Sequence, residues 1–315
     1  MKRIKVLIAD KHCPDEILEK LEEKHFETIR IKDNKRESLI SEILDKEVLV
    51  VSGGIQVDRT LIERAKKLKL IVRAGSGMEI IDTLTAGEFG IVCQNTAEGN
   101  ADSVAEHALG MILTLLHKLN KADKEVKNFE WQREPNRGVE FSKKTLGIIG
   151  YGNTGMKLAK KVSGMDVNVL AYDIFKLNFS DKYANEANLN QIFRETDILS
   201  IHLPLTEKTR YMIDDNFLGE FQKPIYLINT SRGEVVSLES IIKGLDKGIL
   251  KGAGLDVLEK ENLSIFNIEE KKIFENLSKR ENVILTPHVA GWSEESRFKI
   301  GNSVLTRILK FFGRD

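Results

Sequence analysis

Three residues that could hold a carboxylate or move a proton follow apolar, β-branched runs in the second half of the chain. Arg232 stands in "INTSRGEVV", Glu261 in "GAGLDVLEKENL" and His288 in "NVILTPHVAGW". A guanidinium offers paired, planar donors to a carboxylate. An imidazole exchanges a proton near neutral pH, and a neighbouring carboxylate favours its charged form. Hydride transfer between a 2-hydroxy acid and a nicotinamide needs such a set: an anchor for the carboxylate, an acid/base for the oxygen, and a partner that tunes it. Taken singly, each residue has a plainer reading. Arg232 suits a surface ion pair, Glu261 lies in a solvated charge run, and a lone histidine at a strand end is more often structural. His202, in "SIHLPLT", also stands at a strand end beside a proline, and residue chemistry alone does not separate the two histidines.

A second constellation supplies the nucleotide chemistry. "TLGIIGYGNTGMKLAKKV" runs from strand to helix through Gly150, Gly152 and Gly155 in GxGxxG spacing. The first glycine permits the tight turn, the second lets backbone amides approach a pyrophosphate, and the third lets helix and strand pack closely. A bare match is weak, but the strand before, the helix after, and the next strand "VNVLAYD" ending on Asp173 supply the context the fingerprint requires. A carboxylate there accepts hydrogen bonds from the adenosine ribose and repels a 2'-phosphate, which points to NAD, with Lys176 close by.

The elements that must carry these residues are short β-branched runs alternating with amphipathic stretches such as 57–68 and 235–247, the pattern of repeated βα units and parallel sheets. Five such runs precede residue 100 and six follow it. Most end on Asp, Gly, Asn, Ser, Pro or His, where α/β sheets place ligands. The series breaks at "ADSVAEHALGMILTLLHKL", a long helix with capping-box spacing from Ser103 to Glu106. The polar stretch 120–143 that follows, with Phe129 and Trp131, reads as a surface loop or an arm for a second subunit. A terminal helix is expected over "SEESRFKIGNSVLTRILKFF".

The 315 residues suffice for two domains. Lys plus Arg and Asp plus Glu balance at 48 each, so no summed charge favours nucleic acid or an anionic membrane. Cys13 and Cys93 are too far apart and too few for a zinc or disulfide framework, and suit a reducing interior. No apolar run reaches membrane-spanning length. The expectation is a cytoplasmic protein with small-molecule partners, no metal, no nucleic acid and no membrane.

The ordered set "GIIGYGNTG", "VLAYD", "IHLPLTEKTR", "NTSRGEVV", "GAGLDVLEKE" and "ILTPHVAGW", joined by "VRAGSGMEIID" and "NTAEGNADSVAEHALGMIL", resembles the D-2-hydroxyacid dehydrogenase family over nearly the whole chain. It looks most like the phosphoglycerate dehydrogenase branch without a regulatory domain. The resemblance implies an α/β protein of two doubly wound parallel-sheet domains. A Rossmann nucleotide domain, 100–289, would be inserted into a flavodoxin-like substrate domain, 1–99 and 290–315, with a cleft between them and a homodimer joined through the nucleotide domain. It makes Arg232, Glu261 and His288 catalytic, with His288 as the acid/base and Glu261 as its partner. It assigns NAD to Gly150, Gly152, Asn153, Thr154, Gly155, Asp173, His202, Thr230, Ser231, Arg232, Asp256, His288 and Gly291. Asp256 would hold the nicotinamide carboxamide, and 288–291 would close over the ring. Ser76 and Gly77 would receive the substrate carboxylate on their amides together with Arg232.

The chain departs from the family pattern at Ile80, where an asparagine is common, and at Asn262, where proline is usual. It also departs near Ser52, where the phosphoglycerate branch carries an arginine for the substrate phosphate; Arg73 is the nearby candidate to replace it. The expected reaction is hydride transfer at C2 of a D-2-hydroxy acid, with 3-phosphoglycerate the leading substrate. Glyoxylate, hydroxypyruvate or another 2-oxo acid are the alternatives. A non-catalytic NAD(H)-sensing protein is the competing reading from another class.

Overall fold

The computed structural model describes residues 3–31, 33 and 35–314. The chain divides into two compact units, Met1–Ala101 with Trp292–Asp315, and Asp102–Gly291. Each boundary lies two residues beyond the one read from sequence.

The first unit is a five-stranded sheet. Its strands are β1 (Ile4–Ala9), β2 (Phe26–Arg30), β3 (Val48–Val51), β4 (Leu70–Arg73) and β5 (Val92–Asn95). All pairs are parallel and the order is β2-β1-β3-β4-β5, the flavodoxin-like arrangement. A parallel sheet covered on both faces needs runs that are apolar throughout, and Val48–Val51 is buried at every position. One face, through Val6, Ile8, Val50 and Val72, packs on Val304 and Ile308 of the terminal helix Glu294–Phe311. The other face, through Leu7, Leu49, Val51 and Ile71, packs on Leu39, Ile43 and Leu61.

The second unit is a seven-stranded sheet. Its strands are β6 (Thr145–Ile149), β7 (Asn168–Tyr172), β8 (Asn185–Glu186), β9 (Ile198–Ile201), β10 (Ile225–Asn229), β11 (Leu250–Leu255) and β12 (Val283–Leu285). The order is β12-β11-β10-β9-β6-β7-β8, all parallel, the dinucleotide-binding arrangement extended by one strand. The sequence reading has six strands here. The seventh, β8, is a two-residue edge strand, too short for a periodic signal.

Register aligns the carboxyl ends. Tyr172 pairs with Ile149, Ile149 with Ile201, Ile201 with Asn229, Asn229 with Leu255, and Leu255 with Leu285. The residues that follow, Asp173, Gly150, His202, Thr230, Asp256 and Thr286, therefore form one row along a single edge of the sheet. The strand order reverses between β6 and β9, so the crevice that binds ligands in such sheets opens beside Gly150 and His202.

Two local expectations need correction. Ser103 does not cap a helix: it lies inside Ala101–His117, and its hydroxyl donates to the Ala290 carbonyl at 2.7 Å. Glu106 pairs with Lys161 at 2.8 Å. The stretch 120–143 is also not all loop, since Leu119–Lys127 is helical and Glu134–Asn136 forms a 3-10 turn. Its charged residues repeat at i, i+4 spacing, as in Lys127 to Asp123, which supports a solvated helix that apolar periodicity does not reveal. Among the described residues no helix is long and apolar enough to cross a membrane, no group of three or more metal-ligating side chains occurs, and both cysteines are free thiols.

Candidate active site

The glycine-rich turn leaves β6 at Gly150, whose φ of +96° lies in the left-handed region. A side chain there would strike the His202 carbonyl oxygen at 2.4 Å, so only glycine fits where the turn meets the end of β9. Gly155, in the first turn of the helix Asn153–Val162, would bring a Cβ within 2.2 Å of the Gly150 carbonyl oxygen. Its role is the close approach of helix to strand. Gly152 differs: a Cβ there meets no atom within 4 Å. The space beside it is open, and no side chain caps the helix that begins at Asn153. The first amides of that helix, at Asn153, Thr154 and Gly155, thus remain available to an anion.

Asp173 closes β7 and braces this turn. Its Oδ2 accepts from the Tyr151 amide and its Oδ1 from the Phe175 amide, both at 2.9 Å. Lys176 reaches back to donate to the Tyr151 carbonyl at 2.6 Å. Tyr151 itself is buried, stacks on Phe179 and donates its hydroxyl to Asp181; burial first, and then the Asp181 carboxylate, raises the phenol well above its ordinary range. The nucleotide turn is therefore held from both sides before any ligand arrives.

At the end of β10, buried Asn229 shapes the segment Thr230–Arg232. Its Oδ1 accepts from the Ser231 amide at 3.0 Å and the Ser231 hydroxyl at 2.7 Å, and its Nδ2 donates to the Arg232 carbonyl at 2.9 Å. The Arg232 guanidinium donates to the Ser231 carbonyl at 2.7 Å. Gly233 follows because a Cβ would lie 2.0 Å from the carbonyl carbon and oxygen of Leu258. The hydroxyl oxygen of Thr230 is buried with no hydrogen-bond partner among the described residues. A buried polar atom left unpaired on a ligand-binding edge is satisfied when a polar ligand arrives.

His288 stands beyond β12 with φ +55°, an uncommon conformation for a residue with a side chain. Its amide donates to the Asp256 carbonyl at 2.8 Å, and its Nδ1 meets the Glu261 carboxylate at 2.8 and 3.0 Å. The two side chains are about half exposed. Asn262, at the position of the usual proline, caps the 3-10 turn Leu263–Ile265 by accepting from the Ser264 amide, so the turn beside Glu261 is kept by other means. His202 is in a different situation. Its Nε2 lies 2.9 Å from the Ser200 hydroxyl, and burial pushes the imidazole down to about 4. It is neutral in neutral solution, which removes it as a proton donor and separates the two histidines.

Asp256 is almost wholly buried, and its carboxylate is directed into the 286–290 loop rather than toward the open edge. Oδ1 accepts from the Thr286 hydroxyl at 2.5 Å and the Val289 amide at 2.9 Å, and Oδ2 from the Ala290 amide at 2.9 Å. Gly291 ends this loop and the unit.

Ser76 and Gly77 belong to the first unit, in the loop after β4. Asn95 Nδ2 donates to the Ser76 carbonyl at 2.9 Å and Arg73 Nε to the Gly77 carbonyl at 3.1 Å. Among the described residues their amides have no protein acceptor. Arg73 also donates to the Ala74 carbonyl, so its guanidinium shapes this loop from below.

Unit two thus brings together on one edge Gly150, Gly152, Asn153, Thr154, Gly155, Asp173, His202, Thr230, Ser231, Arg232, Asp256, Glu261, His288 and Gly291. Sequence reasoning missed Asn229 and Thr286, which hold this edge through hydrogen bonds. Only Asn229 carried a signal, as a polar residue closing an apolar strand.

The signature described as D-isomer specific 2-hydroxyacid dehydrogenase, NAD binding domain, matches residues 109–290. The hydroxypyruvate reductase of Thermotoga maritima is 33% identical over 279 residues, which cover 89% of this chain and 89% of that protein. The D-3-phosphoglycerate dehydrogenase of Archaeoglobus fulgidus is 32% identical over 300 residues, 95% of this chain but 55% of that protein, so the chain spans about half the length of that relative. Among solved structures, the D-lactate dehydrogenase of Aquifex aeolicus complexed with NAD and lactic acid is 25% identical, with a TM-score of 0.83 over 98% of this chain and 96% of that one.

Proposed function

The chain belongs to the D-isomer specific 2-hydroxyacid dehydrogenases, and from that premise we propose that Arg232, Glu261 and His288 are its catalytic residues and that its substrate is a small, unphosphorylated 2-oxo acid. The pairing of His288 with Glu261 on the carboxyl edge of the second sheet carries the first part of this reading. With Nδ1 committed to the carboxylate, the ring keeps Nε2 for exchange with the C2 oxygen: a proton is given as the oxo acid is reduced and taken as the hydroxy acid is oxidised. Arg232, steadied by Asn229, is the anchor for the substrate carboxylate, and the amides of Ser76 and Gly77, without a protein acceptor among the described residues, are proposed as substrate donors within the first unit.

NAD supplies the hydride acceptor or donor when bound. The residues present fit it: open space at Gly152, an uncapped helix N-terminus, Asp173 for the adenosine ribose and an unpaired Thr230 hydroxyl.

The second part rests on Arg73. Its guanidinium is turned onto the Ala74 and Gly77 carbonyls, and "VLVVSGGIQV" brings no cation to the end of β3. That disfavours 3-phosphohydroxypyruvate and favours hydroxypyruvate or glyoxylate. NADH absorbance followed with glyoxylate, hydroxypyruvate, pyruvate and 3-phosphohydroxypyruvate tests both parts. Higher kcat/KM for an unphosphorylated acid is expected. Preference for the phosphorylated one overturns the substrate reading, and failure of all four acids while NADH still binds overturns the catalytic one.

We also infer a homodimer through the second unit. Phe129 is fully exposed and Trp131 is 78% exposed, on a segment that continues from a helix presenting half-exposed Val126. Light scattering of Phe129→Asp/Trp131→Asp should give a monomer mass where the wild type gives twice that value.

A further inference from the structure

The helix Ala101–His117 lies along the edge that carries the acid/base loop, and its contacts follow one stripe. Ser103 donates to the Ala290 carbonyl at 2.7 Å, and one turn on, His107 Nε2 lies 3.1 Å from the Thr286 hydroxyl oxygen. The next turns supply Met111, packed on Gly254 of β11, and Leu115, packed on Gly252. Residues four apart share a helix face, so a single face of this helix meets β11 and both ends of the 286–290 segment.

The Thr286 hydroxyl has one proton; an ionised carboxylate can only accept, and Asp256, which also takes the Val289 and Ala290 amides, receives that proton's bond at 2.5 Å on Oδ1. The 3.1 Å contact with His107 must then run the other way, with His107 Nε2–H donating to the Thr286 oxygen. With Asp256 ionised, the geometry thus requires a proton on His107 Nε2, whether the ring is neutral or charged. Nε2 also lies 3.6 Å from Asp256 Oδ1, on the same side of the carboxylate. Asp256 in turn accepts from the Val289 and Ala290 amides, and its own carbonyl accepts from the His288 amide. His288 is thereby held at positive φ between two points tied to Asp256.

We propose that His107 is a positioning residue for His288: its Nε2–H holds Thr286, Thr286 holds Asp256, and Asp256 holds the turn that presents the acid/base ring. The proposal rests on the reading of His288 as acid/base. It assigns no contact with substrate to His107, whose side chain is three-quarters buried against this loop. Partners that orient metal-bound histidines cost about 10–100-fold in affinity or activity when lost, and an acid/base imidazole held through a comparable chain is expected to respond on the same scale.

The test uses the full chain with NADH and whichever 2-oxo acid the wild type reduces best. His107→Leu should lower kcat about 10-fold or more while leaving KM for the oxo acid within about 3-fold, the pattern of a lost transition-state interaction. His107→Gln places an amide N–H close to the lost Nε2–H and should recover most of the rate, and Thr286→Val should behave like His107→Leu. Amide hydrogen exchange on the ligand-free protein gives a readout without turnover: Val289 and Ala290 should exchange faster in His107→Leu and Thr286→Val, but not in His107→Gln. Unchanged kcat and unchanged exchange in His107→Leu overturn the proposal, as does a His107→Gln variant no better than His107→Leu. If the wild type reduces none of the acids, the catalytic reading fails, and the exchange measurement still decides whether His107 orders the loop.

Discussion

His288 occupies a backbone conformation that costs on the order of 1 kcal/mol or more for a residue bearing a side chain, and the Asp256 bonds on either side of it supply the compensation. Strain retained at a strand end beside a carboxylate partner is a second difference from His202, which burial keeps neutral. Replacing His288 with Ala should reduce kcat by about 100-fold or more while NADH affinity, read by fluorescence titration, stays within about 3-fold of wild type. His202 predicts a different behaviour. Its folded value near 4 lies below the ordinary 6.5, so between those limits the unfolded chain binds more protons than the folded one. Its contribution is therefore fully present above about pH 6.5 and lost as pH falls toward 4, with an upper bound of about 3.5 kcal/mol at about 1.4 kcal/mol per unit. Urea midpoints between pH 7 and 5 should fall less in His202→Asn than in wild type, and parallel curves would remove His202 from this role. Asp173→Ala should narrow the preference for NADH over NADPH, measured as a ratio of dissociation constants. An unchanged ratio would leave Asp173 only its bonds to the Tyr151 and Phe175 amides.

At the scale of elements, the two decisive turns are set by close approaches that no side chain can share. The 3-10 turn Gly233–Val235 rests against Leu258, so Gly233→Ala must push the two segments apart. It should cost about 2 kcal/mol in denaturant unfolding and displace Arg232, raising KM for the oxo acid. The adjacent β strands were legible because parallel strands buried on both faces must be continuously β-branched and apolar. Edge strand β8 was not, having two residues and no face to bury. The helix Leu119–Lys127 was hidden for the opposite reason, since it has no buried residue and its support is charge pairing. The Ser103–Glu106 spacing misled because the same hydroxyl that would cap a helix instead holds a loop far along the chain, at Ala290.

The whole molecule builds its first unit from both ends of the chain. Val304 and Ile308 of the terminal helix complete the face formed by Val6, Ile8, Val50 and Val72. Ile308→Ala, at a site with no exposure, should destabilise by about 2–4 kcal/mol in urea unfolding, with NADH affinity under native conditions unchanged. The sequence by itself determined the α/β class and the nucleotide turn, because glycine spacing and β-branched runs are local patterns, and its resemblance to the family singled out Arg232, Glu261 and His288, which strand-end chemistry alone left beside His202. It did not show which residues hold those groups. Asn229 behind Arg232, Asp256 turned into the loop, and His107 behind Thr286 act through hydrogen bonds between segments up to 179 residues apart. Arg73, a cation by sequence, donates in the fold to the Ala74 and Gly77 carbonyls of the loop that follows it. Register and packing bring His107 to Thr286 and Asp256 to the 289–290 amides across long stretches of chain, and no local pattern encodes that choice.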